Sequence, residues 1–108
     1  MSDSLTLCLQ AIADPTRRAI LDLLVDEGPR RAGDIAAAFP NITRPGISKH
    51  IRVLREAGLI QDAESEDRRE RLYRVDAWPL IEAESWLNRY ETFWRDRLDE
   101  LAYRIKND

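Results

Sequence analysis

A chain of 108 residues with 44 % hydrophobic content is long enough for one globular domain, yet short enough that an oligomeric interface would add usefully to its core. One cysteine and one histidine exclude an intrachain disulfide and any Cys/His cluster with zinc-ligand spacing within the chain. The formal charge of −3 argues against nucleic acid only until it is resolved by position: residues 15–55 carry eight Lys/Arg against four acids, whereas residues 76–108 carry five against eight. A basic binding face joined to an acidic assembly element would give such a split. The opening MSDSLTLCLQ has no basic region followed by a long apolar run, and no stretch approaches the roughly 18 consecutive apolar residues of a membrane span. A soluble, cytoplasmic protein with no membrane partner is expected.

Ser4 to Ala13 has apolar residues at Leu5, Cys8, Leu9 and Ile12, a recurrence that predicts a short amphipathic helix. So short a helix must pack on the domain body or on a partner chain. Asp14-Pro15 starts a second helix, with the acid as N-cap and the proline at the first position. It runs to about Asp26, buries Ala19, Ile20, Leu23 and Leu24, and stops at Gly28-Pro29. Arg17 and Arg18 fall in its first turn, where the helix dipole disfavours cations, so they do not serve that helix. An anion such as a DNA phosphate, or plain solvation, is the choice left open.

Ala32 to Phe39 predicts a brief third helix whose small residues permit close packing, and Pro40-Asn41-Ile42 is a tight connection. Thr43 to Leu59, TRPGISKHIRVLREAGL, then reads as a capped basic helix, with Thr43 as N-cap, Pro45 in the first turn and Gly58 as the stop. At about 100° per residue, Ile47, Ile51 and Leu54 share one side, while Pro45, Ser48, Lys49, Arg52 and Glu56 fall on the other. Two short helices, a tight turn and a capped basic second helix form a helix-turn-helix over 32–57.

Leu59 and Ile60 begin an extended run, and Arg71 to Val75 alternates polar with apolar as a half-buried strand does. The charged tip between them, Glu64 to Glu70, offers Arg68 and Arg69 to a DNA backbone or minor groove, opposed by Glu64, Glu66, Asp67 and Glu70. Asp76 caps a last helix with no strong breaker after it. Leu80, Ala83, Leu87, Tyr90, Trp94, Leu98, Leu101 and Ile105 follow one another at spacings of three and four. At 1.5 Å per residue this helix is about 45 Å long, more than the small body can cover, so its stripe needs a partner. A homodimer is expected, built on Leu5 and Leu9 of the first helix and Leu87, Tyr90, Trp94, Leu98 and Leu101 of the last; the alternative is a helix folded back over its own domain. The predicted fold class is mainly α with a small β-hairpin. It is a winged helix-turn-helix of order α-α-α-α-β-β-α in one domain over 1–108, with dimerisation helices at 4–13 and 77–106 and the wing at 59–75.

The runs AIADPTRRAILDLL, GDIAAAF, ISKHIRVLREAGLI and RRERLYRV resemble the ArsR family of bacterial and archaeal winged-helix transcriptional repressors over about Leu9 to Asp76, most specifically over Ser48 to Leu59. The resemblance implies a dimer formed by the first and last helices and bound to imperfect palindromes in double-stranded operator DNA. Ser48, Lys49 and Arg52 would meet bases or phosphates in the major groove, with Arg44 and Pro45 at the helix entrance. Metal-sensing members carry a cysteine pair in the helix before the turn, or His and Asp/Glu ligands on the last helix. Here residues 31–36 read RAGDIA and the last helix has no histidine, so no family-type metal site and no cofactor is expected. His50 lies about 100° off the reading face, which points to a structural or phosphate hydrogen bond. Cys8 suits a small buried core residue better than a redox role.

Together these features point to a sequence-specific transcriptional regulator, a homodimeric repressor of a palindromic operator. The effector is not named by the sequence. No catalytic residues are expected, since neither a glycine-rich phosphate loop nor a nucleophile with its base and orienting acid is present. The alternative is a winged-helix protein-protein interaction module that leaves DNA alone, which the acidic total charge favours.

Overall fold

The computed structural model of the protein describes residues 3–67 and 71–107, and within them local side-chain chemistry sets the helix boundaries. Helix α1 (Ser4–Ile12) starts where the Asp3 carboxylate accepts the Thr6 amide at 2.6 Å. Helix α2 (Pro15–Glu27) starts where the Asp14 carboxylate accepts the amides of Thr16 and Arg17, at 2.8 and 3.1 Å. It ends at Gly28, whose φ of 82° is left-handed and favours glycine. After α3 (Ala32–Ala38), the Thr43 hydroxyl accepts the Gly46 amide at 3.1 Å and opens α4 (Arg44–Glu56). A Schellman turn closes α4: the Gly58 amide donates to the Arg55 carbonyl and the Leu59 amide to the Leu54 carbonyl, both at 2.9 Å, with Gly58 at φ 76°.

The wing is β2 (Ile60–Ala63) paired antiparallel with β3 (Leu72–Val75), as the alternation predicts. The order α-α-α-α-β-β-α omits one element: Arg30–Arg31 form a two-residue strand, β1, and the sheet order is β1-β3-β2. Arg30 lies opposite Tyr73 and Arg31 opposite Leu72. Two residues are too few to show a period of two, so pairing alone reveals this strand. It lies between α2 and α3 in the chain and joins the start of the helix-turn-helix to the wing.

One core joins these elements. Ile20 and Leu24 of α2, Ile35 of α3, Ile47, Ile51 and Leu54 of α4, and Ile60 and Tyr73 of the wing are buried together with Cys8 and Ala11 of α1. Helix α5 (Trp78–Asn107) joins this body only at its start, where Pro79 and Ala83 are buried and Ser4 donates to Glu82 at 2.8 Å. From Leu87 onward each described residue of α5 is exposed, and the molecule measures 69 × 30 × 27 Å. No helix among the described residues is long and apolar enough to cross a membrane.

Candidate nucleic-acid interface

Helix α4 is held by one face and presents the other. Ile47, Ile51 and Leu54 are 1, 4 and 0 % exposed, while Arg44, Pro45, Ser48, Lys49 and Arg52 are open to solvent. Proline in the first turn removes no hydrogen bond, and the Thr43 cap fixes the direction in which the helix leaves the turn. Gly33 of α3 gives the Arg44 side chain room, because a Cβ there would stand 3.1 Å from Arg44 Nη2. Between α3 and α4 lies a shallow groove of about 190 Å³ with Arg44 and Ser48 on its α4 side.

Among the described residues, the side chains of Arg44, Lys49 and Arg52 make no hydrogen bond or ion pair with another side chain or with the backbone. Other cations of the body are engaged. Arg30 pairs with Glu27 at 3.7 Å and Arg31 with Asp34 at 3.2 Å. Arg55, at the end of α4, pairs with Asp62 at 3.6 Å and lies 5.9 Å from the Tyr73 ring centre, tying the helix to the wing. At the base of the wing, Arg74 donates to Gln61 at 3.1 Å and Gln61 donates to Asp76 at 2.6 Å. The second Asp76 oxygen accepts the Trp78 amide at 3.0 Å, so the residue that caps α5 also fixes the hairpin. Arg68 and Arg69, expected at the wing tip, lie outside the described residues.

Arg17 and Arg18 find their anionic partners inside the fold. Arg17 Nε donates to the Ala11 carbonyl at 2.6 Å, Arg17 Nη2 to the Gln10 carbonyl at 3.1 Å, and Arg18 Nη1 to the Ile12 carbonyl at 2.6 Å. These are the last carbonyls of α1, at the negative end of its dipole, and that of Gln10 also accepts the Ala13 amide at 3.3 Å. The cost of placing two cations at the start of α2 is thus offset by the end of α1, and a DNA phosphate is not needed to explain them. Burial opposes charge on the Asp14 carboxyl, but the amides of Arg17 and Thr16 outweigh it and hold the group below its ordinary pKa. His50, on α4, accepts from Arg17 Nη1 at 3.3 Å through Nδ1. Of the structural or phosphate hydrogen bond expected of it, this is a bond of the structural kind.

The residues expected at a dimer interface divide in two. Leu5 and Leu9 of α1 are half-buried against the core, whereas Leu87, Tyr90, Trp94, Leu98 and Leu101 of α5 are 51 to 62 % exposed. Cys8 is fully enclosed; burial, and behind it the charge of Glu82, push its thiol pKa up. No group of three or more His, Cys, Asp or Glu that could hold a metal occurs among the described residues. Sequence reasoning did not foresee the Arg17 fork or the Arg74–Gln61–Asp76 chain. The first had a readable signal in two cations placed six residues beyond the last carbonyls of a preceding helix; the second had none, because its members meet only across the hairpin register.

A helix-turn-helix whose second helix offers unpaired cations, backed by a three-stranded sheet, defines the winged helix-turn-helix class of DNA-binding proteins. The comparisons agree. Residues 12–62 match the model of a helix-turn-helix domain family. The chain is 36 % identical over 99 residues to the HTH-type transcriptional regulator Rv2034 of Mycobacterium tuberculosis, covering 92 % of this chain and 86 % of that protein. It is 55 % identical over 53 residues to the transcriptional repressor SdpR of Bacillus subtilis, a match covering 49 % of this chain and 57 % of that one. The crystal structure of an ArsR family transcriptional regulator superposes with a TM-score of 0.73 at 31 % identity, over 86 % of this chain and 98 % of that chain. The chain belongs to the ArsR family of winged helix-turn-helix transcriptional regulators, and it is a DNA-binding transcriptional regulator.

Proposed function

We propose that the protein is a homodimeric repressor that places two copies of α4 in successive major grooves of a pseudo-palindromic operator, within the cytoplasm. The observation that carries this reading is the pair of unpaired cations, Lys49 and Arg52, on the face of α4 opposite Ile47, Ile51 and Leu54, with a third, Arg44, at the helix entrance. Lys49 and Arg52 contact base edges or phosphates along with Ser48, and Arg44 and Pro45 guide the helix entrance. Arg68 and Arg69 are the wing candidates. The second copy is supported by α5. The stripe that buries Ala83 and half-buries Leu80 continues without a break through Leu87, Tyr90, Trp94, Leu98 and Leu101, all exposed in one chain. At about 25 cal/mol per Å² of apolar area, covering such a stripe supplies several kcal/mol to association, with Leu5 and Leu9 at its edge.

Two-fold symmetry predicts half-sites about one helical turn apart. DNA selected from a random pool should show that palindrome, and affinity for it should fall steeply with salt. Lys49→Ala or Arg52→Ala should each weaken it by roughly 1–3 kcal/mol. Micromolar protein giving no salt-sensitive shift on selected DNA would end the proposal. Sedimentation tests the dimer separately: Leu98→Glu should shift the protein towards monomer, and a wild-type chain that sediments as a monomer at micromolar concentration removes the α5 interface.

A further inference from the structure

The Arg17 fork joins three elements, and one of them is the reading helix. Its guanidinium donates to the Ala11 and Gln10 carbonyls at the end of α1 and to His50 Nδ1 on α4, with Asp14 Oδ2 at 4.0 Å behind it. A guanidinium has no acceptor and keeps its proton, so the His50 nitrogen that faces it must accept. In this geometry Nδ1 is the acceptor and the other ring nitrogen, Nε2, faces away from the fork. His50 stands on the flank of α4, between the buried stripe and the exposed cations, where a change of helix rotation alters the aim of Lys49 and Arg52 together.

We propose that His50 is a positioning residue for DNA reading: through Nδ1 and the Arg17 fork it fixes the rotation of α4 against α1. It does so without touching DNA. The inference rests on α4 being the reading helix. The competing role for the same side chain is a direct phosphate contact through Nε2–H, and bond counting separates the two. Asparagine Oδ1 lies two bonds from Cβ, as Nδ1 does, and restores an acceptor for Arg17. Glutamine Nε2 lies three bonds from Cβ, as the histidine Nε2 does, and restores a phosphate donor.

The test is titration of selected operator DNA at several salt concentrations, well below the melting temperature of each variant, with His50→Ala, His50→Asn, His50→Gln and Lys49→Ala in parallel. His50→Ala should lose about tenfold in affinity with the slope of log affinity against log salt unchanged, because no phosphate contact is lost. His50→Asn should recover most of that loss and His50→Gln little of it. A slope reduced by about one unit in His50→Ala, or Gln active where Asn is not, makes His50 a phosphate ligand and overturns the proposal. Wild-type affinity in His50→Ala beside a weakened Lys49→Ala removes the positioning role alone. Wild-type affinity in Lys49→Ala removes α4 as the reading helix, and the role of His50 with it.

Discussion

Arg17 and Arg18 stand in the first turn of α2, and Arg44 opens α4 with Lys49 and Arg52 following along the same helix. Arg17, Arg18 and Arg44 place positive charge in the first turn of a helix, where the dipole opposes it. The α2 pair is neutralised by three carbonyls of α1, and the Arg17 side chain is only 17 % exposed. The α4 group has no partner among the described residues and remains in solvent. A cation marks a binding face when the fold leaves its charge uncompensated; the presence of arginine in a basic segment does not suffice. The net charge of −3 therefore does not count against DNA, because the acids concentrate on the distal part of the chain while the free cations lie along one helix.

The sharpest way to break this contrast is to truncate one member of each group and measure stability at fixed protein concentration, since dimer formation contributes to the melting temperature. Arg17→Ala takes the side-chain donor from the Ala11 and Gln10 carbonyls and from His50, the Gln10 carbonyl keeping the Ala13 amide. Hydrogen bonds to a charged group are worth roughly 1.5–3 kcal/mol each and are not additive here, so a loss of about 2–4 kcal/mol is expected in chemical denaturation. Lys49→Ala and Arg52→Ala should stay within about 0.5 kcal/mol of wild type. Their effect belongs to DNA binding alone. Equal stabilities for Arg17→Ala and Arg52→Ala would erase the distinction between the two groups.

That distinction was only half legible in the sequence. The α4 face follows from periodicity, because Ile47, Ile51 and Leu54 recur at helical spacing and their burial leaves Lys49 and Arg52 outside. The caps Asp14 and Thr43 and the stops Gly28 and Gly58 were legible for the same reason: each acts within four residues of itself. Arg17 was legible as anomalous, since a cation in a first turn needs an explanation, but its partners lie on another helix and on a residue 33 positions away. The strand at Arg30–Arg31 was illegible because nothing in two residues distinguishes a paired strand from a loop. Local chemistry is read locally, and a long-range partner only after folding.

A smaller effect tests how the α2 group is held. The Asp14 carboxylate caps α2 and sits behind Arg17, and its pKa is lowered in the folded protein. A lowered folded value means that the stabilisation is fully present above the unfolded value of about 3.9 and is lost as pH falls through the folded one. Asp14→Ala should cost about 1 kcal/mol at pH 7, in line with N-cap truncations. The gap between variant and wild type should narrow as the pH drops below 4. A gap that stays constant down to pH 2 would show that the carboxylate charge is not what caps the helix.

The smallest predicted effect belongs to Arg18, and it separates the two members of the α2 pair. Arg18 makes the same kind of bond as Arg17, donating to the Ile12 carbonyl at 2.6 Å, but it is exposed and makes one bond where Arg17 makes several. Water replaces an exposed donor at a helix end, so what remains is chiefly the interaction of a cation with the negative end of α1, typically 0.3–1 kcal/mol and screened by salt. Arg18→Ala should therefore lower stability by about 0.5 kcal/mol at low ionic strength and by less at 0.5 M salt. The loss in Arg17→Ala should survive the same salt, because the Arg17 side chain is itself largely buried. A salt-insensitive loss in Arg18→Ala as large as that of Arg17→Ala would mean that burial does not set the strength of these bonds, and that exposed and buried arginines at this corner are equivalent.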